Sequence, residues 1–140
     1  MIDETKKQTC IKMVAMAREK LRAVEELFKA GCYDDSLSRS YYGAFHIVSM
    51  LLFLENKTFS RHGQVIGAFN HDYIASGLLP KELSKALGSL FDDRQTADYD
   101  IFQHANLEEA RLGLENAWSI YIMIMEFANE QFGFTFQELS

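Results

Sequence analysis

Proline occurs once in these 140 residues and cysteine twice. With one Pro and eight Gly the chain has about half the usual supply of obligatory breaks, so long helices are permitted. Val is scarce too, at 4 residues against 28 for Ala plus Leu, which argues against sheet. Two cysteines, Cys10 and Cys32, make neither a disulfide framework nor a metal quartet. If the segment between them is helical, a rise of ~1.5 Å per residue holds them about 33 Å apart, beyond disulfide reach. A reducing compartment follows. The start MIDETKKQTC lacks an apolar signal core, and the apolar stretches 44–54 and 117–128 are too short for a bilayer and carry His46 and Glu126. A cytoplasmic protein without membrane contact is expected. HExxH, CxxC, a Gly-rich phosphate loop and a nucleophile elbow are all missing, which argues against a metallohydrolase, a P-loop NTPase or a serine hydrolase. No metal and no cofactor is expected.

What is present suits one ordinary globular unit: 48% hydrophobic and 24% charged residues in a length near one domain. The net charge of −6 excludes a surface that sheathes nucleic acid nonspecifically, so any phosphate contact must be local. The charge is uneven: residues 1–40 hold eight Lys/Arg and seven Asp/Glu, residues 41–80 two of each, and residues 81–140 four against eleven. The acidic last third could meet a basic partner or simply keep the chain soluble.

The apolar periodicity predicts an all-α, up-and-down four-helix bundle with one additional short helix, a single domain over 1–140 with its core at about 5–131 and a tail at 132–140. The first helix, about 5–30, carries Ile11, Val14, Leu21, Val24 and Phe28 on one stripe interrupted by Arg18, and Gly31 stops it. The second starts at an Asp34/Asp35 cap and reaches about residue 55, apolar on most sides in its second half, as a central bundle helix should be. Ser60 is the expected cap of a short third helix ending at Gly77. Pro80 is placed in the first turn of a fourth helix, whose stripe Leu83, Leu87, Leu90 and Phe91 runs on into Arg94 and Asp98. Asn106 with Glu109 reads as a capping box for the fifth.

Chemistry concentrates on two ridges. In the second helix Asp35, Arg39, Tyr42, His46 and Ser49 are spaced by three and four, which confines them to about 80° of arc. In the fourth, Arg94 and Asp98 continue a core stripe with Tyr99 adjacent, and a charge on a core stripe needs a partner. Arg39, Tyr42 and His46 are therefore expected to face Arg94, Asp98 and Tyr99. That cluster could line a phosphate or nucleotide pocket, Arg suiting bidentate phosphate contact and Tyr base stacking. It could equally be a satisfied network that fixes helix register. His62, next to Arg61 at a helix start, could offer an imidazole to an anion or stand in solvent. His71 and His104 have no supporting neighbours in the sequence.

The run Ser38-Arg39-Ser40-Tyr41-Tyr42-Gly43-Ala44-Phe45-His46, the segment Arg61-His62-Gly63, the stretch Gly77-Leu78-Leu79-Pro80-Lys81-Glu82-Leu83, and Leu90-Phe91-Asp92-Asp93-Arg94-Gln95-Thr96-Ala97-Asp98-Tyr99 together resemble the HEPN superfamily (higher eukaryotes and prokaryotes nucleotide-binding), closest to its stand-alone prokaryotic branch. The resemblance implies an all-α bundle, a homodimer, and a minimal nucleotidyltransferase as partner in a toxin–antitoxin-like pair. It also implies metal-independent ribonuclease chemistry in relatives that carry an Arg, four to six residues, then His, where Arg steadies the phosphate and His moves a proton. Here the residue at the four-residue spacing after Arg94 is Tyr99, and His104 follows only after nine intervening residues. A phenol with a pKa near 10 is a poor base at neutral pH. The expectation is therefore nucleotide or RNA phosphate binding through Arg39, Tyr42, His46, His62, Arg94, Asp98 and Tyr99. The alternatives are an endoribonuclease using His46 and Arg94, or a purely structural interaction protein.

Overall fold

The computed structural model describes residues 3–133 and forms an all-α bundle: α1 (Glu4–Lys29), α2 (Tyr33–Leu54), α3 (His62–Phe69), α4 (Lys81–Tyr99) and α5 (Leu107–Phe132). A wider turn, Asn70–Ile74, prolongs α3. The tail at 134–140 lies outside the described residues. Among the described residues no helix is long and apolar enough to cross a membrane.

Local chemistry sets the helix ends. The Asp3 carboxylate accepts from Lys6 N–H at 2.8 Å and starts α1. Gly31, at φ +79°, ends it, with Gly31 N–H bonded to Phe28 O (3.1 Å) and Cys32 N–H to Leu27 O (2.9 Å). This pair of bonds satisfies carbonyls the helix itself leaves open and turns the chain back into α2. The Asn106–Glu109 capping box of α5 is formed as the sequence predicts.

Four boundaries differ from the sequence expectation. Cys32 occupies the cap position of α2 without a side-chain bond, and Asp34, expected as the cap, lies inside the first turn with its carboxylate accepting from Ala105 N–H at 2.8 Å and bonding His104 Nδ1 at 2.9 Å. α3 starts at His62 rather than after a Ser60 cap, with Gln64 Oε1 accepting from Arg61 N–H (3.3 Å). It reaches only Phe69 before the wider turn closes through Ala75 N–H to Asn70 O at 2.8 Å, and Gly77 follows at φ +82°. Pro80 sits one position before the first turn of α4, where its fixed φ and missing N–H are equally harmless.

α2 touches α1, α3, α4 and α5, so it is the central element. Its buried side chains, among them Leu37, Tyr41, Ile47, Val48, Leu51 and Leu52, meet Val14 and Leu21 of α1, Leu87 and Leu90 of α4, and Ile120 and Ile124 of α5 in the core. Two glycines set how closely the helices approach. A Cβ at Gly43 would lie 2.7 Å from Leu21 Cδ2, and one at Gly113 would lie 2.5 Å from Leu37 Cδ2. α1 and α5 can each rest on α2 at these points only because no side chain intervenes.

Candidate functional site

Arg94 follows Leu83, Leu87 and Leu90 on the inward stripe of α4, and only 7% of it is exposed. Its guanidinium carbon lies 5.0 Å from the Tyr41 ring centroid, 5.5 Å from Phe91 and 5.6 Å from Tyr42. The faces of these rings attract the cation, and such contacts are worth about 0.5–2 kcal/mol each. Formal neutralisation is weak. Asp98 Oδ2 is 3.8 Å from Arg94 Nη1 and also accepts from Ser38 Oγ at 3.3 Å, while Arg94 Nε is buried with no hydrogen-bond partner. A buried guanidinium with one loose carboxylate and an unmet donor is costly unless something else completes it.

Tyr41 is the residue that sequence reasoning missed, because it reads as one more member of the apolar face of α2. Its ring meets Tyr42, Phe45, His62 and Phe91 at centroid distances of 5.3, 5.8, 5.7 and 5.7 Å. Its hydroxyl bonds His62 Nδ1 at 2.9 Å. Burial pushes the phenol up to about 12 against the opposing pull of the Arg94 charge, so it stays protonated at neutral pH. The available signal was the need of a fully buried tyrosine for a polar partner.

His62 reaches the same box from the first turn of α3. Rather than standing in solvent, it stacks on Phe45 with ring centroids 4.0 Å apart and an interplanar angle of 26°. Burial and then the nearby Arg94 charge hold its imidazole below the ordinary value, leaving it neutral at pH 7. His46 is half-buried at the edge of Phe45, 6.4 Å between centroids, and is likewise held low by burial, Lys20 and His62. Of the two histidines it is His62 that shares the Tyr41 and Tyr42 rings with Arg94.

The expected cluster is thus brought together in part. Tyr42, His62, Arg94 and Asp98 converge. Arg39 opens instead into a neighbouring cleft of about 270 Å³ with Lys20, Asp35, Ser38 and Tyr42. Tyr99 is 74% exposed and belongs to a shallow depression with Gln95, Thr96, Asp100, Ile101 and Phe102. Five residues of helix turn it about 140° from Arg94, away from the core stripe. His104 does have a neighbour: with Ala105 it is held by Asp34, whose carboxylate sits below its ordinary value because those hydrogen bonds outweigh the opposing effect of burial. His71 likewise bonds the adjacent Asp72 at 2.8 Å. Among the described residues no group of three or more His, Cys, Asp or Glu is placed to hold a metal ion.

Residues 12–128 match the HEPN domain. The chain belongs to the HEPN domain family. HEPN relatives of similar sequence come from bacteria and archaea. A UPF0332 protein of Thermotoga maritima is 37% identical over 83 residues, 59% of this chain and 63% of the relative. A candidate toxin of Methanocaldococcus jannaschii is 33% identical over 99 residues, 71% of this chain and 67% of the relative. The chain therefore spans somewhat less than two thirds of the Thermotoga protein. The crystal structure of TT1696 from Thermus thermophilus superimposes with a TM-score of 0.71 at 17% identity, covering 84% of this chain and 97% of that one, and shares the fold.

Proposed function

We propose that this HEPN protein binds the phosphate of a nucleotide or RNA at the Arg94 box and has a toxin-like role, acting as a homodimer with a minimal nucleotidyltransferase as partner. The observation that carries the binding reading is the incompletely neutralised Arg94 guanidinium, with its unmet Nε donor, beside a neutral imidazole. A phosphate oxygen supplies both the charge and the acceptor that this group lacks, and Tyr42 supplies a ring for the base. The family membership and the toxin name of the Methanocaldococcus relative support the biological setting.

One observation favours an endoribonuclease as the second reading, with His62 rather than His46 next to Arg94. When His62 Nδ1–H donates to Tyr41 Oη, Nε2 is left with a lone pair that can take the proton of an attacking RNA 2′-hydroxyl. The imidazolium so formed, still held at Nδ1 by Tyr41 Oη, then gives its Nε2 proton to the leaving 5′-oxygen and returns to the neutral ring. Arg94 would offset the charge that gathers on the phosphate between these steps.

Titrating the protein with 5′-AMP tests the binding reading, with Arg94→Lys as comparison because it keeps the charge and loses the planar fork. Binding to the parent protein and roughly a 10- to 100-fold loss in Arg94→Lys are expected, from the worth of a charge-assisted hydrogen bond. Equal affinities overturn it. Cleavage of RNA without divalent metal, abolished by His62→Ala, would establish the enzyme in place of the simple binder.

A further inference from the structure

We infer that the cleft between α1 and α2 lined by Lys20, Ser38, Arg39 and Tyr42 is a second phosphate subsite, so that this face takes a single-stranded nucleotide chain with successive phosphates rather than a mononucleotide. The inference rests on the Arg94 binding reading and specifies its ligand.

The cleft, about 270 Å³, gathers Lys20 from α1 and Arg39 from α2, and Asp35 is the one acidic residue in its lining. Among the described residues neither Lys20 nor Arg39 has an ion-pair partner. Two such cations line one concavity on a chain of net charge −6. Lys20 and Arg39 outnumber Asp35 by one, so the cleft keeps a net positive charge and attracts an anion.

The cleft and the Arg94 box are contiguous. Tyr42 lines the cleft, and its ring lies 5.6 Å from the Arg94 guanidinium carbon and 6.1 Å from the His62 ring. Ser38, also in the lining, donates to Asp98, the carboxylate paired with Arg94. The Lys20 charge is felt at His46, one turn of α2 beyond Tyr42, where with burial it helps to keep the imidazole neutral. Two anion-seeking centres therefore flank one aromatic ring. A mononucleotide carries a single phosphate and can satisfy only one of them. A single-stranded chain satisfies both and lays an unstacked base against Tyr42 between them, whereas a duplex keeps its bases stacked on one another.

The experiment compares 5′-AMP with an RNA tetranucleotide, titrated over a range of salt concentrations into the parent protein and into Lys20→Gln, with Arg39→Gln as a second variant. Both side chains are solvent-accessible and unpaired, and circular dichroism melting checks the fold. The tetranucleotide is expected to bind the parent at least about tenfold tighter than AMP. Each variant should lose that advantage and about 0.7 of the salt slope, the contribution of one single-strand phosphate. Lys20→Gln should bind AMP as the parent does. If AMP binds normally and both variants keep the parental tetranucleotide affinity and salt slope, the second subsite is overturned and the Arg94 reading stands. If neither ligand binds the parent protein, both are overturned.

Discussion

At the residue scale, the site depends on how three polar groups are kept in an aromatic box. Arg94 was legible in the sequence because it falls four residues after Leu90 on an inward stripe, and a charge there has to be met by something. Tyr41 and His62 were not legible as a pair. A tyrosine on the apolar face of a helix looks like core, and nothing local tells that the first turn of α3, some twenty residues on, folds back against it. Their burial has a consequence for pH. His62 and His46 both have folded-state values below the ordinary imidazole value, so the unfolded chain takes up protons first. The stability they support is fully present above about pH 6.5 and is lost as pH falls below that value. Urea unfolding at pH 7.5 and pH 5.5 should show lower stability at the acid pH, and His62→Gln should reduce the difference. A stability that rises on acidification across that window would contradict the assignment of neutral, buried imidazoles.

At the scale of the elements, the number and order of the helices followed from periodicity and from glycine, and so did the capping box of α5. The errors lie where a side chain had a distant partner to choose. Asp34 looked like a helix cap and instead clasps the α4–α5 connection through His104 and Ala105, a contact between residues 70 positions apart that no local pattern announces. Arg39 and Tyr42 share one ridge of α2, yet Arg94 of α4 lies over the Tyr42 ring while Arg39 opens with Lys20 of α1 into the cleft, a division that the spacing of three and four does not encode. The close approach of α1 and α2 was likewise invisible, since a glycine inside a helix is silent about its neighbour. Gly43→Ala tests that approach. Alanine improves helix propensity by about 1 kcal/mol, but its methyl would press on the buried Leu21 side chain, and overpacking of this kind costs about 1–3 kcal/mol. A net loss of about 1 kcal/mol in denaturant unfolding is expected. A gain would show that Leu21 yields freely.

For the whole molecule, a net charge of −6 with eleven acidic residues against four basic in residues 81–140 means that phosphate can be welcomed only where cations are gathered and acids are held back. On the reading proposed above the Arg94 box is such a place, one sheltered cation whose single carboxylate neighbour, Asp98, stands 3.8 Å away, and it is the centre of the account. The most direct test is the His62 imidazole itself, followed by NMR through a pH titration of the protein alone and then saturated with 5′-AMP. Without ligand its pKa should lie below that of an ordinary histidine, as burial and the Arg94 charge require. A phosphate seated at Arg94 adds negative charge beside the ring and should move that value upward. A His62 pKa that is the same with and without saturating nucleotide would contradict the placement of the anion at Arg94.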